Sequence, residues 1–254
     1  MQFIDTHAHI NYKPLLQNHE QVIEEALANN VTKIICVGTD IPNSYVAIKL
    51  AEKFDCIYAA AGFHPHDIED AKRGWQQELE KLLQHEKTVA IGEIGLDNYR
   101  NYSPKKLQLK FFGEQIEIAK SMEMPMIIHN READDDTEKL IKDVNYFNAV
   151  MHCFGSDADY ARKMMDLGLM ISFTGNITYK KNDIGHKAVQ ATPIEKLMLE
   201  TDCPFLSPEP KRGKTNAPVN LPFIADKVAE LKNISIEEVA EITTENAIRF
   251  FGLR

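Results

Sequence analysis

The sequence predicts a (β/α)8 barrel, and three observations carry that prediction. Eight short apolar runs recur along the 254 residues. They show little polar alternation, as parallel strands buried on both faces should. Amphipathic stretches lie between most of them, the pattern of strand–helix units. A chain of this length commonly closes such a barrel as one domain, so residues 1–254 are read as a single TIM-barrel domain. A doubly wound open sheet is the competing arrangement.

The elements follow in order. Phe3–Asp5 is the first strand, opening the stretch "DTHAHI". "QNHEQVIEEALANN" follows, with Val22, Ile23, Ala26 and Leu27 at helical spacing. Lys33–Val37, Ile57–Ala61 and Val89–Ile91 are the next strands, the last running into "GEIGLD". "SPKKLQLKFFGEQIEIAKSM" reads as a helix with Ser103 as its N-cap and Pro104 at the first position. Met126–His129 and Ala149–His152 are strands five and six. Next comes a helix capped by Ser156 and ended by Gly168. Leu169–Phe173 and Lys196–Glu200 complete the eight. Two C-terminal helices follow, the second opening on a capping box of Ser235 and Glu238.

Composition narrows the function classes. Hydrophobic residues make up 44%, enough for a large core, and there is no apolar run of about 18 residues that would span a membrane. The N-terminus lacks the basic start and apolar stretch of a signal peptide. The four cysteines are widely spaced, with no Cys-x-x-Cys pair, and read as reduced thiols. A cytoplasmic location is expected, with no obligate protein partner. The net charge of -9 argues against a broad basic surface for duplex nucleic acid. A polyanion in a pocket stays allowed, because bound divalent cations would reverse the local sign.

A barrel demands functional residues at the C-terminal ends of its strands. Strand one ends in Asp5, His7 and His9. "GFHPH" after strand three supplies His64 and His66, and "GEIGLD" supplies Glu93 and Asp97. Strand five ends in His129, Asn130 and Arg131, strand six in His152, strand eight in Glu200 and Asp202. His, Glu and Asp without Cys suit Zn²⁺, Mn²⁺ or Mg²⁺. Six ligands are too many for one tetrahedral catalytic ion and fit two divalent ions. Glu93, from the middle of the series, is the natural bridge. The chain order divides the rest: His7, His9, Glu93 and Asp202 on one ion, and Glu93, His129 and His152 on the other. Such a pair generates a metal-bound hydroxide near neutral pH, which points to hydrolysis of a phosphate ester.

Taken together, "DTHAHI", "GFHPH", "GEIGLD", "PMIIHNR", "MHCF" and "ETDCP" resemble, in order, the motifs of the TatD family of metal-dependent deoxyribonucleases. The resemblance runs from Phe3 to the closing "NAIRFFGL". It implies a TIM barrel of the amidohydrolase superfamily that binds divalent metals and trims DNA from the 3′ end. The metal ligands it implies are His7, His9, Glu93, His129, His152 and Asp202. It places His64 and Arg131 near the substrate phosphate. Two positions depart from the family pattern: Ala217 stands where glutamate is common, and Asn98 where an aromatic residue is usual.

Other residues have plainer readings beside functional ones. Asp202 is also the expected proton acceptor. Glu200 points inward or forms a structural ion pair. His66 caps its loop, Asp97 orients a ligand or lies exposed, and Asn130 bonds to backbone. Cys153 and Cys203 are read as packing residues, and Met122, Met124, Met126 and Met151 as core. Asp5 lies one pleat deeper than His7, as a support rather than a ligand. Lys211, Arg212 and Lys214 form a basic cluster after strand eight that suits a phosphate backbone. The expected activity is a DNA phosphodiesterase, with RNA as an alternative substrate. An amide- or ester-cleaving amidohydrolase and a non-catalytic nucleic-acid binder are the competing functions.

Overall fold

The computed structural model describes residues 1–100 and 102–254. Eight parallel strands run in sequence order: β1 (Phe3–Ala8), β2 (Val31–Val37), β3 (Ile57–Ala61), β4 (Thr88–Asp97), β5 (Met126–Arg131), β6 (Ala149–Met151), β7 (Met170–Phe173) and β8 (Leu197–Leu199). Closure lies just past β8. Ala8 bridges Cys203, the Asp202 amide donates to the His7 carbonyl at 2.9 Å, and the His9 amide donates to the Cys203 carbonyl at 2.8 Å. The last rungs of the barrel are therefore also the backbone of the candidate site.

The helices are α1 (His19–Ala28), α2 (Ile41–Lys53), α3 (Trp75–Leu83), α4 (Lys105–Ser121), α5 (Asp134–Val144), α6 (Ala158–Asp166), α7 (Asp183–Ala191), α8 (Leu221–Lys232) and α9 (Ile236–Phe251). α2, α3, α5 and α7 were not singled out from the sequence. Two caps are corrected. Asp157, not Ser156, caps α6, accepting from the amides of Asp159 and Tyr160, while the Ser156 hydroxyl donates to Asp134 at 2.7 Å. Ser103 does not cap α4, which starts at Lys105 after Pro104; its hydroxyl donates to the His66 carbonyl instead. Ser235 caps α9, accepting from the Glu238 amide at 3.1 Å. No helix among the described residues is long and apolar enough to cross a membrane.

Two cores follow from strand alternation. Ile4, Ile35, Val37, Tyr58, Ala60, Ala90, Ile127, Val150, Met170 and Met198 form an inner cluster, closed by Phe251 and Leu253 at the chain's end. The intervening residues, such as Ile34, Cys36, Ile57, Ile91, Ile128 and Phe173, pack outward against the helices. Extending that alternation turns His64, His129, His152 and Asp202 toward the barrel axis. It would turn His7 and Glu93 outward, with Phe3 and Ile91. Register shifts between Asp5 and Ala8, and between Ile91 and Ile94, break the alternation at those two residues. Such irregularities re-aim side chains next to active sites.

β4 extends six residues beyond its expected end at Ile91, so Glu93 lies within the strand rather than after it. Gly95 permits this. It pairs with His129 so closely that a Cβ would stand 1.9 Å from the His129 carbonyl oxygen, and its φ is +143°. Only glycine fits both conditions.

Candidate metal centre

The site is built around Glu93, which is 3% exposed. Its two oxygens face different groups. Oε2 lies 3.4 Å from His7 Nε2 and 3.5 Å from His9 Nε2. Oε1 lies 2.8 Å from His129 Nδ1 and 3.5 Å from both His64 Nε2 and His152 Nε2. Asp202 Oδ1 completes the first group, 3.5 Å from His9 and 3.8 Å from His7. The His7 and His9 Nε2 atoms are 3.1 Å apart.

These spacings can be set against coordination geometry. Ligand atoms about 2.1 Å from a tetrahedral ion sit about 3.4 Å from one another. The separations around Glu93 Oε2 bracket that value. Held carboxylates and imidazole lone pairs facing each other without protons between them repel, and a cation removes that repulsion. The donor set therefore fits divalent cations.

The far side of each ring is also provided for. His9 Nδ1 donates to the Val37 carbonyl at 2.9 Å, which leaves the Nε2 lone pair facing the cluster. His152 Nδ1 stands 2.7 Å from Glu200, whose carboxylate also accepts from the Cys153 amide at 2.6 Å. His129 Nε2 faces Asp97 at 3.3 Å, and Asp97 also receives His66 Nε2 at 2.9 Å. His7 Nδ1 is buried with no hydrogen-bond partner among the described residues, and its ring stacks on that of His152 with centroids 3.6 Å apart. Asp5, fully buried, accepts from the Thr201 amide and hydroxyl and from the His7 amide, so it ties β1 to the segment after β8 where the barrel closes.

Proton affinities follow this layout. Burial opposes protonation of His9, but Asp202 and Glu93 prevail and raise it to about 10. His152 rises to about 9, burial being overcome by Glu200 and Glu93. Burial, with His152 beside it, pushes His7 down, and burial pushes His64 well down. Glu93 is held well below the carboxylate range, because the rings of His64, His152, His129 and His7 around it outweigh its burial.

The structure brings His7, His9, Glu93, His129, His152 and Asp202 together in one cluster. It adds His64, which the sequence placed at the substrate phosphate; its Nε2 shares Glu93 Oε1 with His129. Its inward parity with Tyr58 and Ala60 could have revealed this. Cys153 is corrected. It is only half-buried, and its Sγ groups with the side chains of His152 and Asp202, whereas Cys203 is core. Asn130 is corrected as well: its side chain donates to Asp134 at 2.6 Å and accepts from the Thr137 hydroxyl, rather than bonding to backbone. Arg131 does not join the cluster; its guanidinium lies 3.9 Å over the Tyr99 ring. Lys211 and Arg212 are exposed in the loop after β8, Arg212 lying 4.2 Å over Tyr179.

Residues 4–252 match the profile of the TatD related DNase family. The chain belongs to this family. Among similar TatD-family relatives, YabD of Bacillus subtilis, described as an uncharacterized metal-dependent hydrolase, is 43% identical over 98% of each chain. YcfH of Escherichia coli, described in the same words, is 33% identical over 100% of this chain and 97% of its own. The crystal structure of the TatD homologue YjjV from Escherichia coli superposes with a TM-score of 0.95 at 29% identity, covering 99% of this chain and 98% of that one. The protein is thus a (β/α)8 barrel in a family of metal-dependent hydrolases.

Proposed function

We propose that the protein is a divalent-metal-dependent phosphodiesterase that degrades DNA, removing nucleotides from the 3′ end. The observation that carries this reading is the division of Glu93: one oxygen faces His7 and His9, the other His64, His129 and His152. That is the arrangement of a carboxylate shared between two cations. The family description and the six motifs support DNA as the substrate.

His7, His9, Glu93 and Asp202 would hold one cation, and Glu93, His129 and His152, with His64 beside them, the other. Two such ions supply a nucleophile near neutral pH and neutralise charge on the attacked phosphate. Asp202, on the first group's edge, takes the proton of the attacking water on its free oxygen. The His64 Nδ1 accepts from the His66 amide, so its proton sits on Nε2 beside Glu93 Oε1, from where it donates to a phosphate oxygen as charge develops. Arg131 at the rim, with Lys211 and Arg212 on the loop after β8, orients the strand through its phosphates.

A substrate panel tests the reading. The purified protein is supplied with Mg²⁺, Mn²⁺ or Zn²⁺. It is then given 5′-labelled single-stranded DNA, RNA, an aryl phosphodiester and a set of amides and lactones. A ladder shortening from the 3′ end is expected. Turnover of amides or lactones alone would replace this reading with the amidohydrolase one, and no turnover at all would favour binding without cleavage.

A further inference from the structure

The two rims of the barrel mouth differ in charge. Beyond β7, residues 174–182 carry Lys180 and Lys181 and no carboxylate. Beyond β8, residues 205–217 carry Lys211, Arg212 and Lys214 against Glu209 alone. Five cations against one carboxylate is a sharp local reversal in a chain of net charge -9. The rim at the end of β5 lacks it. There, residues 131–136 carry one arginine and four acidic residues, one of them, Asp136, paired with Lys105.

The basic rim is also shaped. Tyr179, Lys180, Lys181, Asn182, Glu209 and Arg212 line an open groove of ≈ 450 Å³. Its two loops are fastened together. The Tyr179 hydroxyl donates to the Ser207 carbonyl at 2.9 Å, and the Glu209 amide donates to the Thr178 hydroxyl at 2.9 Å. Lys180, Lys181 and Arg212 are exposed. Glu209 engages Arg212 only at 3.7 Å, so the guanidinium keeps donors for an incoming anion. The loops start from the ends of β7 and β8, and Thr174, first in its loop, touches Cys153 beside His152 at 3.5 Å. The groove therefore lies on loops that start beside the candidate metal centre.

We infer that this groove is a phosphate-tracking subsite: it holds the phosphodiester backbone of a polynucleotide strand several nucleotides from the one being cleaved. The inference rests on the proposed nucleic-acid reading and deepens it. Regularly spaced anions need several cations along one line, and a fixed arginine among flexible lysines provides that. Because the cations gather at the β7/β8 rim while the β5 rim is acidic, the strand leaves the centre by the β7/β8 side.

The test uses metal-loaded protein and a fluorescent single strand of about twelve nucleotides with phosphorothioate linkages, read by anisotropy over a range of salt concentrations. Lys180→Ala with Lys181→Ala is compared with Lys49→Ala and Lys53→Ala on the distant α2. The groove double variant is expected to weaken binding about tenfold and to lower the salt slope by about 0.7 per lost contact. Arg212→Gln is expected to act in the same direction, which keeps the result readable if the double variant folds poorly. Equal affinities and slopes for groove and control variants would overturn the inference, and so would a wild type that does not bind the strand. Binding that depends on the groove, combined with no DNA turnover in the substrate panel, would uphold the subsite and sink the proposed activity.

Discussion

The two sides of Glu93 are built differently. On the β1/β8 side His7 and His9 are 0% and 3% exposed, and His9 is fixed by a backbone carbonyl. On the β3–β5 side the His129 and His66 side chains are 18% and 23% exposed, and both lean on one carboxylate, Asp97. A carbonyl in a strand cannot move without unzipping the sheet. A side-chain carboxylate shared by two rings can adjust. The comparison teaches that one half of the site is made to stay fixed and the other to face what enters.

Removing the shared element should have the largest effect. Glu93→Gln keeps the shape but loses the charge that both sides use. Turnover of an aryl phosphodiester is expected to fall at least about a thousandfold, roughly 4 kcal/mol of lost stabilisation. Metal content by mass spectrometry should fall with it. A variant that keeps its metal and most of its activity would show that the halves do not depend on Glu93.

The next effect separates the halves. Titrating the loaded protein with a chelator should release metal in two steps, with the buried β1/β8 side last. In His129→Ala the early step should disappear while the late one remains; in His9→Ala the late step should weaken. A single step unchanged by either variant would mean that the difference in burial has no consequence for binding.

A smaller loss is expected at Asp97. It is fully buried, and bonds from His129, Arg100 and His66 hold it below the carboxylate range against its burial. Asp97→Asn should weaken metal on the β3–β5 side by about 10- to 100-fold while leaving the other side intact, as partners behind a metal-bound histidine typically do. Equal losses on both sides would erase the distinction.

The same contrast explains what the sequence made legible. Strand spacing and polar strand ends were enough for the barrel, and for residues whose strands alternate regularly: His129, His152 and Asp202. They did not reveal that β1 and β4 break register. His7 and Glu93 face the axis because of irregularities that no periodic pattern encodes. "GEIGLD" falls past the expected strand end at Ile91, because glycines mark turns more often than strands; here Gly95 serves a close approach of two strands. Ser103 and Ser156 were misplaced as caps because a neighbouring residue, Pro104 or Asp157, met the helix start first. The orientation of Arg131 over Tyr99 depends on a loop contact that spacing cannot predict.

The smallest effect is in the support of the fixed side. Asp5 is buried beneath His7, and desolvation outweighs its bonds from Thr201 and His7, raising its pKa to about 7 from an ordinary 3.8. A carboxyl whose folded pKa lies above its unfolded value contributes stability in full below the unfolded value. It loses that contribution as pH rises through the folded one. For Asp5 the window is roughly pH 4 to 7. Metal-stripped protein should therefore show a urea midpoint that falls across this window, and Asp5→Asn should flatten that part of the curve whatever its absolute height. The matching change on the adjustable side, Asp97→Asn, should act with the opposite sign and below pH 4. Asp97 is held low, so its contribution to the wild type grows as pH rises toward 4 and stays complete above it, and the variant should lose that rise. Two buried aspartates bracketing one metal centre would then slope the stability curve in opposite directions. If both substitutions changed the curve in the same sense, the two sides would not be distinguished by how they hold their carboxylates.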